Sequence, residues 1–201
     1  MNKKTKIAVF VSGGGTNLQA LIDAAKRGEI PSGEIALVLA SNDKAYALTR
    51  AAENNIPSAV VKRKDFDSQI AYEEAVKAVL AENGIEMIVL AGFMTILSKN
   101  FTSAYPKRIV NVHPSLIPSF CGAGFYGLRV HEAALEYGVK VTGATVHYVN
   151  EIPDGGEIIL QKAVEILEGD TAEVLQKRVM EQAEWVLLPK AVELVAKKLQ
   201  A

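Results

Sequence analysis

This chain of 201 residues contains a single cysteine, Cys121. That excludes an intramolecular disulfide and any all-cysteine metal cluster. Charge of either sign is not in excess: 22 Lys and Arg face 23 Asp and Glu, for a net charge of −1. No Lys/Arg run makes a basic patch, so nucleic acid is not an expected partner. No apolar run approaches the roughly 18 residues of a membrane span, and no signal-peptide core is present. Met1-Asn-Lys-Lys-Thr-Lys6 is too short for a leader, so the expectation is a cytoplasmic protein. There are three histidines but no H-x-x-x-H or H-E-x-x-H, so no metal is expected. Also missing are a G-x-S-x-G nucleophile motif, internal repeats, low-complexity tracts and linkers. With 49% hydrophobic and 22% charged residues, residues 1–201 fit one globular domain with a sizeable core.

What is there is an alternation of strands and helices. Ile7–Val11 predicts a strand, Ser12 to Asn17 a glycine loop, and Leu18, Leu21, Ile22 and Ala25 a helix running to Arg27-Gly28. Strands over 35–40 and 58–61 follow, with a helix over 45–54 between them. Another helix opens at Phe66-Asp67-Ser68, capped by Asp67 or Ser68, and a strand covers 87–91. This regular βα order predicts an α/β fold: a Rossmann-like, mostly parallel sheet with helices on both faces. A short helical turn near 98–105 leads to a strand ending at His113, since Pro114 cannot continue a ladder. Residues 120–127 form a glycine-rich loop and 128–137 a helix. Residues 143–149 alternate small or apolar with polar residues, as a half-exposed strand does, and 158–166 are its antiparallel partner. A long helix from about Thr171 to Leu199 is expected to kink at Pro189.

Three stretches carry polar groups toward one edge of such a sheet. In the glycine loop, inward backbone N–H groups and the following helix start suit a phosphate. Leu18 stands where G-x-G-x-x-G needs its third glycine, so a phosphomonoester fits better than a dinucleotide, for which Asp43 would be the acid. A tight turn is the plain alternative. Gly92-Phe93-Met94, with Ile96 and Leu97, offers an apolar wall for a flat aromatic ligand, or simply a capped strand end. Asn111 and His113, two apart on one side of a strand, supply an amide and an imidazole. Asp154, in Pro153-Asp-Gly-Gly156, is either a turn residue or the carboxylate that completes an acid–base set. Beside His113 it would raise the ring's pKa and keep it cationic near neutral pH, so that Asn111 and His113 stabilise an oxyanion. His131 reads as a surface or interface residue. His147 either points into the same cleft or is a satisfied polar residue.

Ser12-Gly-Gly-Gly-Thr-Asn-Leu-Gln19, Leu90-Ala-Gly-Phe-Met94, Asn111-Val-His-Pro-Ser-Leu-Ile-Pro118, Asp154-Gly-Gly156 and Glu184 together carry a resemblance. Over essentially its whole length the chain resembles the phosphoribosylglycinamide formyltransferase family, folate-dependent enzymes of purine biosynthesis. The resemblance implies Asn111, His113 and Asp154 as a catalytic trio. It implies Gly15, Thr16 and Asn17 on the substrate phosphate, and Glu184 on glycinamide ribonucleotide. Met94, Thr95, Ile96, Leu97, Asn150 and Glu151 would hold 10-formyltetrahydrofolate, the co-substrate, in a monomer or homodimer. By that resemblance the amino-terminal half binds the ribonucleotide and the carboxyl-terminal half the folate. Gln69, where relatives often carry Arg, and Thr95, where a basic residue is common, leave the contacts with the folate's glutamate tail open. Formyltetrahydrofolate deformylase usually adds an amino-terminal domain, whereas here the glycine loop begins at residue 12. Methionyl-tRNA formyltransferase adds a tRNA-binding carboxyl domain. A non-catalytic nucleotide-binding module would explain the loop but not the trio.

Overall fold

The computed structural model describes residues 3–200, and within them seven strands form one sheet in the order β3-β2-β1-β4-β5-β6-β7. These are β1 Thr5–Val11, β2 Gly33–Ala40, β3 Ser58–Val60, β4 Met87–Leu90, β5 Ile109–His113, β6 Val141–Tyr148 and β7 Ile158–Glu165. The first five pair in parallel, and β6 and β7 are antiparallel. The helices are α1 Thr16–Lys26, α2 Ala47–Glu53, α3 Gln69–Glu82, α4 Lys99–Ala104, α5 Leu128–Tyr137, α6 Ala172–Val179 and α7 Trp185–Lys198.

The central strand shows why the sheet needs two helical layers. Ile7, Val9 and Val11 enter one core with Leu18 and Leu21 of α1 and Val192 and Val195 of α7. Ala8 and Phe10, on the other face, join Tyr72 and Val76 of α3 and Phe101 of α4. A run buried on both sides cannot alternate in polarity, and burying each large side chain contributes about 1.5–3 kcal/mol. Ser68 caps α3 by accepting the Ala71 N–H. Because β1 has β2 on one side and β4 on the other, the chain reverses direction across the sheet there. Such a switch opens a crevice at the carboxyl ends of the strands.

One sequence-based expectation needs correction here. β6 is not half exposed; seven of its eight residues are buried. Its polar alternation is real, but the second face is covered by the segment after β5 rather than by water. Thr145 Oγ donates to the Ser115 carbonyl at 2.7 Å and accepts the Ile117 N–H at 3.1 Å. The same cover explains Gly143, where a Cβ would lie 2.9 Å from Leu116 Cδ2 and would collide with the Lys162 carbonyl.

The long carboxyl-terminal helix runs without a gap from Ala172 to Lys198, with one wide turn ahead of its proline. α6 gives way to a π-helical turn, Met180–Glu184, and Pro189 lies inside α7. Proline cannot supply an N–H to the carbonyl four residues back and crowds it. The wide turn, one turn upstream, ends at the buried Glu184, and π turns concentrate at functional positions.

Candidate active site

The glycine loop begins where β1 stops. The Gly13 carbonyl accepts the Ala47 N–H at 3.1 Å, and the Gly14 carbonyl accepts Arg50 Nε at 2.8 Å. In a trans peptide the N–H points opposite to the C=O. The N–H groups of Gly14 and Gly15 therefore face away from α2, beside the free N–H groups that open α1. Gly15 has φ 72°, and a Cβ there would sit 2.7 Å from Ala47 Cβ, so both conformation and space demand glycine. An anion suits the loop. Asp43, the acid a dinucleotide would need, is instead in an exposed ion pair with Lys62 at 2.7 Å.

Asn17, on the first turn of α1, donates from Nδ2 to Glu184 Oε2 at 2.7 Å. Burial raises the Glu184 carboxyl above its ordinary range, against the opposing bond from Asn17. Among the described residues, buried Asn17 Oδ1 has no partner. Buried polar atoms are ordinarily paired, so this edge offers an acceptor and a carboxyl to a polar ligand.

At the end of β5 the polar groups converge. Asn111 faces His147 across the β5–β6 ladder, and His113 faces Thr145. The His147 Nδ1 lies 2.8 Å from the Tyr148 carbonyl, which can only accept, so Nδ1 carries a proton, and Nε2 stands 3.6 Å from Asp154 Oδ1. Asn111 Nδ2 lies 3.2 Å from that Nε2 and donates to Asp154 Oδ1 at 3.4 Å. The same logic fixes His113: its Nε2 lies 2.9 Å from the Phe120 carbonyl and donates to it. Its Nδ1 then looks at Asp154 Oδ2 from 3.4 Å. Phe120 (φ 49°) and Asp154 (φ 55°) both hold left-handed backbone, which is strained for a bulky residue such as Phe120 and better tolerated by Asp. The Gly122 N–H also donates to Asp154 Oδ2, at 2.9 Å.

The expectation that Asp154 keeps His113 cationic is overturned in part. Burial pushes the ring below its ordinary value, and the Asp154 carboxylate, which raises it, does not fully compensate. A ring that is 4% exposed gives up most of its hydration as a cation. Burial likewise pushes Asp154 up, but the His147 and His113 rings and the Gly122 N–H outweigh it and hold the carboxyl below the ordinary range. His131 is also corrected. On α5 it is fully buried rather than at the surface, burial takes its pKa down to about 4, and neither ring nitrogen has a partner among the described residues.

These groups close one end of a cavity of about 400 Å³. Met94, Thr95, Ile96 and Leu97 line one wall, Asn150, Glu151 and Asp154 another, and Gly122–Gly127 a third. Met94 and Ile96 are exposed and Leu97 is buried, while Phe93 turns back onto Phe10 with ring centres 5.1 Å apart. Glu151 reaches Lys99 at 3.8 Å, and Asn150 braces its turn by accepting the Ile152 N–H at 2.9 Å. Gln69 is held inward by Arg63, Glu73 and the Ile96 carbonyl. Ser12 ties the glycine loop to this wall. Its N–H donates to the Gly92 carbonyl at 3.2 Å, and its Oγ accepts the Met94 N–H at 3.0 Å.

Residues 5–192 match the family described as formyl transferase. The chain belongs to the formyl transferase family. Within that family, phosphoribosylglycinamide formyltransferase of Haemophilus influenzae is 42% identical over 94% of this chain and 85% of its own length. The trifunctional purine biosynthetic protein adenosine-3 of Gallus gallus is 45% identical over 96% of the chain, which spans only 18% of that relative. Among solved formyl transferases, glycinamide ribonucleotide transformylase 1 of Symbiobacterium toebii superposes with TM-score 0.90 at 39% identity, covering 97% of this chain and 89% of its own. Phosphoribosylglycinamide formyltransferase of Brucella melitensis gives 0.88 at 42% identity, covering 96% of each chain.

The structure brings Asn111, His113 and Asp154 together, joins Asn17 to Glu184, and sets the predicted folate residues around one cavity. Sequence reasoning left His147 open and passed over the lining loop 122–127 and the Phe120 carbonyl. The signal for His147 was its place in the alternation of β6. Register with β5 was needed to read it.

Proposed function

We propose that this chain transfers the formyl group of 10-formyltetrahydrofolate to the primary amine of glycinamide ribonucleotide, a step of purine biosynthesis. One domain serves both small-molecule substrates. The observation that carries the reading is Asp154 bridging Asn111 and His113 at the closed end of an apolar-walled cavity, in a member of the formyl transferase family. The glycine loop with Asn17 and Glu184 takes the ribonucleotide, its phosphate on the loop. The wall from Met94 to Leu97, with Asn150 and Glu151, takes the folate.

The chemistry follows from the donors. The amine attacks the formyl carbon, a C–N bond forms, and the carbonyl electrons move onto oxygen. An Asn111 amide hydrogen, released from its long bond to Asp154, stabilises that oxyanion. His113 contributes most when protonated. Its Nε2–H stays on the Phe120 carbonyl, so the exchangeable proton is the one on Nδ1, next to Asp154. Without that proton, the Nδ1 lone pair faces a carboxylate; with it, the pair becomes a charge-assisted bond. Collapse of the intermediate breaks the bond to folate N10, which takes one proton while the attacking nitrogen loses one. Asp154 and His113 carry that exchange, directly or through water.

Purified protein with 10-formyl-5,8-dideazafolate and glycinamide ribonucleotide, followed by absorbance, tests the reading. Turnover that needs the ribonucleotide is expected. Equal turnover without it would indicate a deformylase, and no turnover would sink formyl transfer.

A further inference from the structure

The wall over residues 92–98 presents Met94 and Ile96 to the cavity, yet these side chains are 55% and 70% exposed. Apolar groups that bury so little surface cannot fix their own position. The backbone beneath them must be held from behind. Ser12 does so at the amino-terminal end, through Gly92 and Met94.

At the other end stands Glu73, on α3, 2% exposed and absent from the cavity lining. Its Oε1 accepts the Ser98 N–H at 2.7 Å and Gln69 Nε2–H at 2.7 Å, and its Oε2 accepts the Ser98 hydroxyl. Gln69 Nε2 also donates to the Ile96 carbonyl at 3.1 Å, while Gln69 Oε1 accepts Arg63 Nε at 2.9 Å. Ser98 caps α4 by accepting the Phe101 N–H. No Lys or Arg among the described residues forms an ion pair with Glu73. A buried carboxylate without a cation is costly to fold around, and it persists only where neutral donors fill its lone pairs. Here most of those donors belong to, or also hold, the wall.

We propose that Glu73 is a positioning residue for the formyl donor. Through Ser98, and with Gln69 through the Ile96 carbonyl, it fixes the wall backbone and so sets affinity for a flat aromatic ring system that it never touches. This rests on the reading of the cavity as the folate site.

The test compares wild type with Glu73→Gln, Ser98→Ala and the double variant, each by steady-state kinetics and thermal melting. In Glu73→Gln the KM for 10-formyl-5,8-dideazafolate is expected to rise about tenfold, the size of one lost charge-assisted bond. The kcat at saturation and the KM for the ribonucleotide should stay within about twofold, and the double variant should be no worse than the worse single one, as in a shared network. A merely structural Glu73 would lower the melting temperature and leave the donor KM unmoved. That result, additive losses, or a matching rise in the ribonucleotide KM would overturn the proposal. If Glu73→Gln does not fold, Ser98→Ala alone must still show the selective rise. Failure of the wild type to turn over removes the transferase reading instead, and calorimetry of the donor analogue alone then decides whether Glu73→Gln weakens the cavity's hold.

Discussion

His113 Nδ1 and the Gly122 N–H converge on one oxygen, Asp154 Oδ2, at 3.4 and 2.9 Å. The carboxylate is thereby aimed at the ring nitrogen that the Phe120 carbonyl leaves free. Replacing Asp154 by Asn keeps the shape and removes the charge. The expected outcome is a fall in kcat of roughly 10²–10⁴-fold with little change in substrate affinity. A near-normal kcat in steady-state assays would remove Asp154 from the mechanism.

The same substitution should move the titration of His113. Burial lowers the ring and Asp154 raises it, so taking the carboxylate away lowers it further. In NMR titrations the His113 midpoint is expected to lie at lower pH in Asp154→Asn than in wild type. An unchanged or higher midpoint would mean that the two groups do not communicate.

Asn111→Ala removes the amide that bridges His147 and Asp154. If it serves the oxyanion, kcat should drop by about 10²–10³-fold while the donor analogue still binds in calorimetry. Retained turnover would remove Asn111 from the mechanism.

Asn17→Ala and Glu184→Gln act on the other subsite. Each is expected to raise the KM for the ribonucleotide about tenfold or more, with the donor KM unmoved. Equal effects on both substrates would show that the Asn17–Glu184 pair does not belong to the ribonucleotide alone.

His131 predicts an acid weakness. Its pKa is lowered from the ordinary 6.5 to about 4 by burial, with the nearby charge of His113 adding to the shift. The unfolded chain therefore takes up a proton in that window before the folded one does. Stability is intact above pH 6.5 and is lost as pH falls toward 4, by roughly 3 kcal/mol from this ring. In His131→Leu, urea denaturation at pH 7 and pH 4 should show a loss smaller by about that amount. An equal loss in both proteins would assign acid sensitivity elsewhere.

The parallel half of the fold was legible because its signals are local. β5 ends at the residue before Pro114, Ser68 caps α3, and α5 spans the predicted Leu128–Tyr137. What could not be read was long-range. His147 opposes Asn111 only through the register of two antiparallel strands, and β6 is buried because residues 115–117 cross its second face. His131 looked like a surface residue because a helix face in sequence does not name its neighbour. The balance at His113 is hidden for a related reason: the cost of enclosing the ring depends on everything around it, not on Asp154 alone. The wide turn over Met180–Glu184 carries no local signal in the sequence.

The bond between Asn17 and Glu184 spans 167 residues of sequence. Synthesis runs from the amino terminus, so β1, the glycine loop and α1 leave the ribosome long before the segment that completes their polar edge. Until then the edge lacks its carboxyl group. A ligand seated there would favour the finished fold over partly assembled ones by mass action.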